Sequence, residues 1–113
     1  GIFGLSFKED VSDLRNSRVV DITRVLVCKG AEVIVNDPFA HDEEVRENFG
    51  LDLTALSDIE KLDGLILAVP HSPYRAMSVS DLCRFLAPRG VLIDVKSVVN
   101  KSEIPEGISY WAL

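Results

Sequence analysis

The sequence predicts an α/β fold of the Rossmann-like, doubly wound type, with a mainly parallel sheet and helices on both faces. A continuous apolar run at residues 65–69 and a mainly apolar run at residues 91–95 are typical of strands that are buried on both faces of a parallel sheet. Segments with the apolar spacing of helices alternate with such runs, which is typical of right-handed βαβ crossovers. These observations together predict one sheet covered by helices.

Length and composition predict a single domain, residues 1–113. A chain of 113 residues that is 47% hydrophobic can bury one sizeable core. The net charge of -6 disfavours a nucleic-acid partner. No run approaches the ~20 apolar residues of a membrane span, and no secretory signal opens the chain. We therefore expect a cytoplasmic protein without a nucleic-acid or membrane partner.

The start of the chain predicts a strand, a helix and a second strand. The apolar residues 1–5 form a strand at the very beginning of the chain, so we expect that further chain precedes it. Ser17 is a good N-cap for a helix with apolar residues at three-and-four spacing, and this helix ends at residues 29–30. Residues 31–38 predict the second strand, which ends at Pro38 because proline cannot continue a central ladder.

The rest of the chain repeats the alternation of strands and helices. The run at residues 65–69 is the expected centre of the sheet, because it is apolar throughout. Caps, apolar spacing and glycine or proline stops predict the other elements. These are helices at residues 41–48, 57–62 (capped by Ser57) and 80–86, strands at residues 51–53, 91–95 and 109–113, and a turn at residues 88–90.

The cysteines and histidines predict no metal or redox site. Cys28 and Cys83 lie in apolar periodic segments without a CxxC spacing, so we expect both in the core of a protein from a reducing compartment. His41 is expected in solvent. His71 follows the strand at residues 65–69 and is exposed in principle, but a histidine in a turn between prolines is more often structural. Neither histidine has the acidic or cysteine neighbours of a metal site.

The carboxyl ends of the strands are the expected place for a ligand. Loops leave these ends at Ser6, Pro70 and Lys96. The GxGxxG fingerprint of dinucleotide-binding domains is absent, and GIFGLSF stands in its place at residues 1–7. The sequence therefore does not predict that this domain is the one that binds NAD.

The loop at residues 7–17 carries a cation near each end. Lys8 offers a point charge and Arg15 a bidentate fork, and the N-terminus of the helix that follows favours an anion. This combination predicts a phosphorylated ligand. The alternative is that both cations pair with acidic side chains of the same loop, such as Asp13, on a solvated surface.

The same loop resembles a known family. The sequence GLSFKEDVSDLRNS at residues 4–17 matches the signature GLxFKxxxxDxRxS, which opens the C-terminal domain of UDP-glucose/GDP-mannose dehydrogenases. The resemblance continues through VNDP at residues 35–38, LAVPH at residues 67–71, LIDVK at residues 92–96 and YWAL at residues 110–113. It thus covers almost the whole chain, in order.

The resemblance implies an NAD-dependent, four-electron oxidation of a sugar C6 alcohol to a carboxylate, through aldehyde and thiohemiacetal stages at a cysteine. Neither Cys28 nor Cys83 sits in a matching motif, so the nucleophile and the GxGxxG domain that holds most of the NAD lie outside this chain. The chain is then a C-terminal UDP-sugar-binding domain that is inactive alone. Its implied partners are a UDP-sugar, the other domains of the same polypeptide and, at full length, further copies in a homo-oligomer.

The resemblance also implies roles for single residues. Phe7 and Lys8 contact the sugar nucleotide near its phosphates, and Arg15 reaches toward the NAD. Asp13 either orients Arg15 or is a turn residue. Lys96 is the candidate for a basic residue that touches the substrate nucleotide, and a solvated lysine is the alternative.

The substrate and the class of protein are open at this point. Asn16 and residues 19–22 resemble the branch that acts on UDP-N-acetylhexosamines in polysaccharide biosynthesis, with UDP-glucose and GDP-mannose as alternatives. A free-standing Rossmann-like nucleotide-binding module without catalysis is the alternative from another class. A response-regulator-like domain is disfavoured, because Asp37 follows the second strand but no acidic pair follows the first.

Overall fold

The computed structural model describes all 113 residues and contains one sheet of five parallel strands. The strands are β1 (Ile2–Phe3), β2 (Val35–Asn36), β3 (Leu62–Leu67), β4 (Leu86–Asp94) and β5 (Ser109–Ala112). The helices are α1 (Val19–Cys28), α2 (Asp42–Phe49), α3 (Ser72–Arg75) and α4 (Val79–Cys83), with 3₁₀ turns at Leu56–Asp58 and Lys101–Glu103. The strand order β2-β1-β3-β4-β5 places β3 at the centre and β5 at an edge, as predicted.

Alternate residues of each strand face opposite sides of the sheet and form two apolar clusters. One cluster joins the strands to α3 and α4 and includes Phe3, Leu65, Leu92, Tyr74 and Leu82. The other joins the strands to α1 and α2 and includes Ile2, Val35, Val19, Val20 and Val45. Helices therefore cover both faces, which confirms the predicted fold class. None of the helices has the length and apolar character that crossing a membrane requires.

A close contact between the ends of β1 and β3 limits the first two strands. Gly4 ends β1 because its backbone turns with φ +91°, and a Cβ at this position would lie 2.4 Å from the carbonyl oxygen of Val69. β2 lies at the edge of the sheet and pairs with β1 and, through a single bridge, with Leu53, so its ladder is equally short. The strand predicted at residues 31–38 is therefore in the right place but too long.

The helix predicted at residues 57–62 is wrong. Ser57 lies inside a single 3₁₀ turn, Leu56–Asp58. Leu62 begins β3 instead of ending a helix, because its N–H donates to the carbonyl oxygen of Phe85 at 2.9 Å. Sheet pairing across the core thus outweighs the local cap signal.

The helices after β3 also differ from the prediction. The Oγ atom of Ser78 accepts a hydrogen bond from the N–H of Asp81 at 3.0 Å, so α4 starts one residue earlier than predicted. α4 stops before Leu86, which already pairs within the sheet. α3 was not predicted, although Pro73 suits the first turn of a helix, where its missing N–H leaves no hydrogen bond unmade.

The turn predicted at residues 88–90 lies inside β4. The pairing of β4 with β3 shifts register between Leu62 and Gly64, and Arg89 has a left-handed backbone with φ +65°. The prediction thus located the irregularity but not the start of the strand. The small strand predicted at residues 51–53 is a single bridge to β2.

α1 ends at the predicted glycine stop, where Gly30 has φ +90°. Ser17 flanks the other end: its Oγ accepts from the N–H of Val19 at 3.2 Å and donates to the carbonyl oxygen of Leu5 at 2.6 Å. Cys83 is buried as expected, and burial raises the pKa of its thiol. Cys28 is exposed, so its predicted place in the core is wrong; it lies at the end of α1, beyond the residues that face the sheet.

We expect Gly4→Ala to lower the free energy of unfolding by more than ~2 kcal/mol, because the added Cβ meets the backbone of Val69, just beyond β3, and adds to left-handed strain. Gly107→Ala is the matched control, since its φ is +89° and no atom lies within 4 Å of the added Cβ. It should cost only about 1 kcal/mol. Urea denaturation measures both losses, and equal losses would show that the contact with Val69 is unimportant.

Candidate functional site

The carboxyl ends of β1 to β4 meet at one edge of the sheet, here called the carboxyl edge. The first loop, defined as residues 4–18, leaves this edge after β1 and returns to α1. Shorter loops leave it after β2 and β3, and a fourth carries Lys96 away from β4. Ligands of open parallel sheets bind at this edge. The residues that hold these loops together therefore define the candidate site.

A buried aspartate at the end of β2 joins three of these loops. The carboxylate of Asp37 accepts five hydrogen bonds. Its Oδ2 accepts from the backbone N–H groups of Leu5 (2.7 Å) and Ser6 (2.9 Å) and from the ring of His71 (2.9 Å). Its Oδ1 accepts from the backbone N–H groups of residues 39 and 40, at 2.8 and 3.0 Å. The loops after β1, β2 and β3 thus meet at one side chain.

Asp37 is ionised although no lysine or arginine pairs with it. Burial raises the pKa of the carboxyl, but hydrogen bonds from His71 and from the backbone of Leu5 and Ser6 more than offset this and hold the pKa well below its ordinary value. A buried carboxylate that lost these donors would cost several kcal/mol. The charge is therefore tolerated only while the loops keep their places.

His71 extends this network from β3 to the first loop. Its side chain is 0% exposed, and the ring of Phe39 lies 4.9 Å from it. Nε2 lies 2.9 Å from Oδ2 of Asp37 and 3.0 Å from Oγ of Ser6, and Nδ1 accepts from the N–H of Asp10 at 2.9 Å. The predicted place of His71 at the carboxyl edge is confirmed, but its expected exposure is wrong. A fully enclosed ring does not contact a ligand.

Asp10 fastens the first loop to the start of α3. Its backbone is left-handed, with φ +59°, and its carboxylate accepts from the N–H of Ser72 at 2.6 Å and from the hydroxyl of the same residue. These hydrogen bonds hold the pKa of Asp10 below its ordinary value. On the other side, Oγ of Ser6 donates to the carbonyl oxygen of Lys8 at 3.2 Å. The stretch around Lys8 is thus held from both ends.

Phe7 and Lys8 are exposed on this held stretch. The side chain of Phe7 is 54% exposed, and Lys8 is exposed and takes part in no ion pair. The N–H of Phe7 donates to the carbonyl oxygen of Asp13 at 2.7 Å, which closes the first loop on itself. An exposed aromatic ring and an unpaired ammonium group are therefore neighbours on a loop whose backbone is held by hydrogen bonds.

Arg15 and Lys96 differ from Lys8, because Arg15 is ion-paired and Lys96 lies on another loop. Arg15 makes a bidentate pair with Asp13, at 3.1 and 3.1 Å, and its side chain is 86% exposed. Pairing within the loop therefore holds for Arg15 and not for Lys8. Hydrogen bonds from Arg15 also lower the pKa of Asp13. Lys96 is exposed at the same edge, but β3 separates its strand from β1, so the two loops start about 10 Å apart.

A second buried aspartate, Asp94, holds the loop that carries Lys96. Its Oδ2 accepts from the N–H of Val99 at 2.7 Å and from the hydroxyl of Tyr110 at 2.9 Å. Burial and this bond to Asp94 raise the pKa of Tyr110 to about 12. Oδ1 of Asp94 is buried and has no hydrogen-bond partner. The loop after β4 is therefore held, like the first loop, by hydrogen bonds to a buried aspartate at the end of a strand.

The sequence predicted the exposed residues of the edge and missed the buried ones that hold them. One signal was present: Asp37 and Asp94 each stand where a strand ends, at the edge where ligands bind. Their partners were not recognisable, because Ser6 lies 31 residues from Asp37 and 65 residues from His71. Spacing along the chain does not reveal such contacts.

Two cavities lie at opposite ends of the sheet. One of about 640 Å³ lies at the amino ends of the strands, where Gly1, Ile34 and Leu62 line it. Another of about 270 Å³ lies on the carboxyl side, between α3, α4 and the loop after β4, next to Tyr74 and Val99. No three histidine, cysteine, aspartate or glutamate side chains converge in a way that would hold a metal ion. The candidate site is an open rim of loops at the carboxyl edge.

The chain is similar to known proteins along almost its whole length. Residues 1–101 match the model described as the UDP-glucose/GDP-mannose dehydrogenase family, UDP binding domain. Protein CapL of Staphylococcus aureus is 34% identical over 112 residues, which cover 99% of this chain and 26% of that protein. UDP-N-acetyl-D-glucosamine 6-dehydrogenase of Pseudomonas aeruginosa is 33% identical over 102 residues, which cover 90% of this chain and 24% of that protein.

A solved structure shares the fold. The crystal structure of NDP-N-acetyl-D-galactosaminuronic acid dehydrogenase from Methanosarcina mazei Go1 matches with a TM-score of 0.84 at 21% identity, over 98% of this chain and 23% of that one. The chain therefore spans about a quarter of the length of the relatives that it matches. The similarity concerns one domain of these proteins.

Asp37→Asn tests the buried carboxylate. The amide nitrogen cannot accept hydrogen bonds, so we expect a loss of about 2–3 kcal/mol in the free energy of unfolding near pH 7. Because the pKa of Asp37 is lower in the folded than in the unfolded state, its ionised form stabilises the fold above pH ~4, and this contribution is lost as the pH falls further. The difference between wild type and variant should therefore shrink below pH ~4.

Chemical denaturation at several pH values measures this difference. Asp52→Asn is the control, because Asp52 is exposed and pairs with Arg46 on the surface. Its effect should stay within ~0.5 kcal/mol at every pH. A difference between wild type and Asp37→Asn that does not change with pH would contradict the ionised carboxylate.

Proposed function

Because the chain belongs to the UDP-glucose/GDP-mannose dehydrogenase family, we propose that it binds the UDP part of a UDP-sugar at the carboxyl edge. In the whole protein, this binding serves the NAD-dependent oxidation of the sugar C6 alcohol to a carboxylate. The description of the matching model, which names a UDP-binding domain, supports the choice of nucleotide. The name of the Pseudomonas aeruginosa relative supports a UDP-N-acetylhexosamine as the substrate. We place the reaction in polysaccharide biosynthesis.

The observation that carries the proposal is the exposed, unpaired Lys8 on a held loop. An ammonium group with no carboxylate partner gains a charge-assisted hydrogen bond when a diphosphate arrives, and it breaks no ion pair to do so. The ring of Phe7 offers an apolar surface to the ribose or the base beside it. Because Asp37 and Asp10 already order the loop, little conformational entropy is lost on binding.

Lys96 supplies a second cation at the same edge. The loops of Lys8 and Lys96 start about 10 Å apart, and a UDP-sugar is long enough to reach both. Asp94 holds the second loop through the N–H of Val99, as Asp37 holds the first. We therefore assign Phe7, Lys8 and Lys96 to the substrate.

The chain does not form a dinucleotide site of its own. In dinucleotide-binding turns, glycines let the backbone approach the pyrophosphate. Here the turn after β1 uses Gly4 to pack against Val69, and a Cβ there would lie 2.4 Å from the Val69 carbonyl oxygen. We place NAD on another domain of the whole protein, where it accepts the electrons of the oxidation. Only Arg15, which is exposed and oriented by Asp13, is proposed to reach toward it.

This assignment gives the chain a binding role in a larger enzyme. The family's cysteine nucleophile has no counterpart here, because Cys83 is buried and Cys28 lies at the end of α1, away from the carboxyl edge. We therefore expect no oxidation of substrate by this chain alone. The proposed partners are a UDP-sugar, the other domains of the same polypeptide and further copies in a cytoplasmic homo-oligomer. A free-standing nucleotide-binding module is the alternative that the experiments below address.

Titration of the chain with UDP and UDP-N-acetylglucosamine, followed by calorimetry or NMR, tests the binding site. We expect Lys8→Ala to weaken binding about tenfold, because a cation next to phosphate is lost. GDP and NAD should bind more weakly than UDP.

Lys29→Ala is the matched control, since Lys29 is exposed at the far end of α1. It should leave the affinity for UDP unchanged. Equal UDP affinity of wild type and Lys8→Ala would remove Lys8 from the site. UDP binding by a whole protein that oxidises no UDP-sugar in the presence of NAD would favour the alternative module.

Arg15→Lys tests the link to NAD in the whole protein. A lysine cannot reproduce the bidentate fork that Asp13 orients, so we expect the KM for NAD to rise several-fold while the KM for the UDP-sugar stays the same. Arg18→Lys, at another exposed arginine, should change neither constant. Steady-state kinetics with each substrate varied in turn gives the result, and an unchanged KM for NAD would count against the role of Arg15.

A further inference from the structure

We propose that His71, as the neutral ring with its proton on Nε2, is a positioning residue that presets the Phe7-Lys8 segment for the nucleotide. The inference rests on the proposed function, because it takes that segment as the nucleotide site. His71 does not touch the ligand itself, since its side chain is 0% exposed. It acts only through its hydrogen bonds.

The partners of the ring fix its protonation. The backbone N–H of Asp10 can only donate, so Nδ1, which lies 2.9 Å from it, presents a lone pair. The ionised carboxylate of Asp37 can only accept, so Nε2, which lies 2.9 Å from its Oδ2, carries the proton. A proton on both nitrogens would point Nδ1–H at another N–H group. One neutral tautomer alone satisfies every partner.

The first route from His71 to the segment runs through Ser6. Nε2 of His71 lies 3.0 Å from Oγ of Ser6, and that hydroxyl donates to the carbonyl oxygen of Lys8 at 3.2 Å. The Nε2–H group is shared between Asp37 and Ser6, which leaves the hydroxyl proton of Ser6 for Lys8. A residue that could not donate from this position would free the Ser6 hydroxyl to turn away from Lys8.

The second route runs through Asp10. Its left-handed backbone, φ +59°, is disfavoured for a residue with a side chain and persists only where the surroundings hold it. Nδ1 of His71 holds the N–H of Asp10, and Ser72 holds its carboxylate. Without the acceptor on His71, one of these two attachments is lost.

Together the two routes hold the backbone from the carbonyl group of Lys8 to the N–H of Asp10. Oγ of Ser6 binds the carbonyl oxygen of Lys8, and Nδ1 of His71 binds the N–H of Asp10, two residues further along. These bonds favour the backbone conformation that the loop has in the structure before any ligand binds. Ordering of this kind removes part of the entropic cost of binding. A purely structural histidine would stabilise the fold without affecting the affinity of the folded protein.

Amide variants of His71 separate the two routes. His71→Asn can place its amide oxygen near the position of Nδ1 and keep an acceptor for Asp10, while it loses the donor to Ser6. His71→Gln can place its amide nitrogen near Nε2 and keep the donor, while it loses the acceptor. We expect each variant to bind UDP about tenfold more weakly than wild type and to exchange the amide hydrogens of residues 8–10 faster.

Tyr74→Phe is the control for loss of stability. The hydroxyl of Tyr74 is buried in the neighbouring core and donates to the backbone oxygen and Oδ1 of Asn36. It makes no hydrogen bond to the Phe7-Lys8 segment or to Asp10. This variant should have a lower melting temperature and an unchanged affinity for UDP. Calorimetry is carried out at a temperature at which circular dichroism shows every variant to be folded.

The outcomes separate the two proposals. If wild type binds UDP and both His71 variants bind it equally well, the positioning role is overturned while the proposed function stands. If Tyr74→Phe loses as much affinity as the His71 variants, the effect is one of general stability, and the positioning role is again overturned. If wild type does not bind UDP, or if Lys8→Ala binds it as tightly as wild type, the proposed function fails and takes the positioning role with it.

Discussion

The carboxylate of Asp37 is the constraint on which the carboxyl edge depends. It is a buried anion with no lysine or arginine beside it, and its charge is balanced by N–H groups from the loops after β1, β2 and β3. The three loops therefore stabilise one another's positions through their hydrogen bonds to this one carboxylate. Hydrogen bonds between His71, Asp10 and Ser72 also hold the backbone next to the exposed residues Phe7 and Lys8.

At the carboxyl edge, two negatively charged side chains are buried and two positively charged side chains are exposed. The chain is acidic, with a net charge of -6, yet the carboxylates of Asp37 and Asp94 are turned inward and bound by N–H and O–H groups. Lys8 and Lys96 remain on the outside of the same loops. An acidic protein can thus present cations to an anionic ligand locally, because the buried carboxylates of Asp37 and Asp94 are already hydrogen-bonded. Overall charge says little about a site built in this way.

Much of the fold followed from the sequence, because buried parallel strands have a distinctive composition. The run at residues 65–69 gave the centre of the sheet, and the glycine stop of α1 gave a helix end. Element bounds were less predictable where tertiary pairing decided them, as at Leu62. The positions of Phe7 and Lys8 at the edge followed from the order of strands and loops. Their support by His71 did not, because hydrogen bonds across 65 residues leave no local pattern.

The loops at the two ends of the strands differ in how much change in chain length they would tolerate. Gly30, Gly50 and Gly107 lie in turns at the amino ends of the strands, opposite the carboxyl edge, and no atom lies within 4 Å of a Cβ added to any of them. Insertions, fusion partners or affinity tags placed in these turns would extend into solvent. At the carboxyl edge, one added residue would displace a donor from Asp37. Divergence in length is therefore expected to accumulate on the side of the domain that faces away from the proposed nucleotide site.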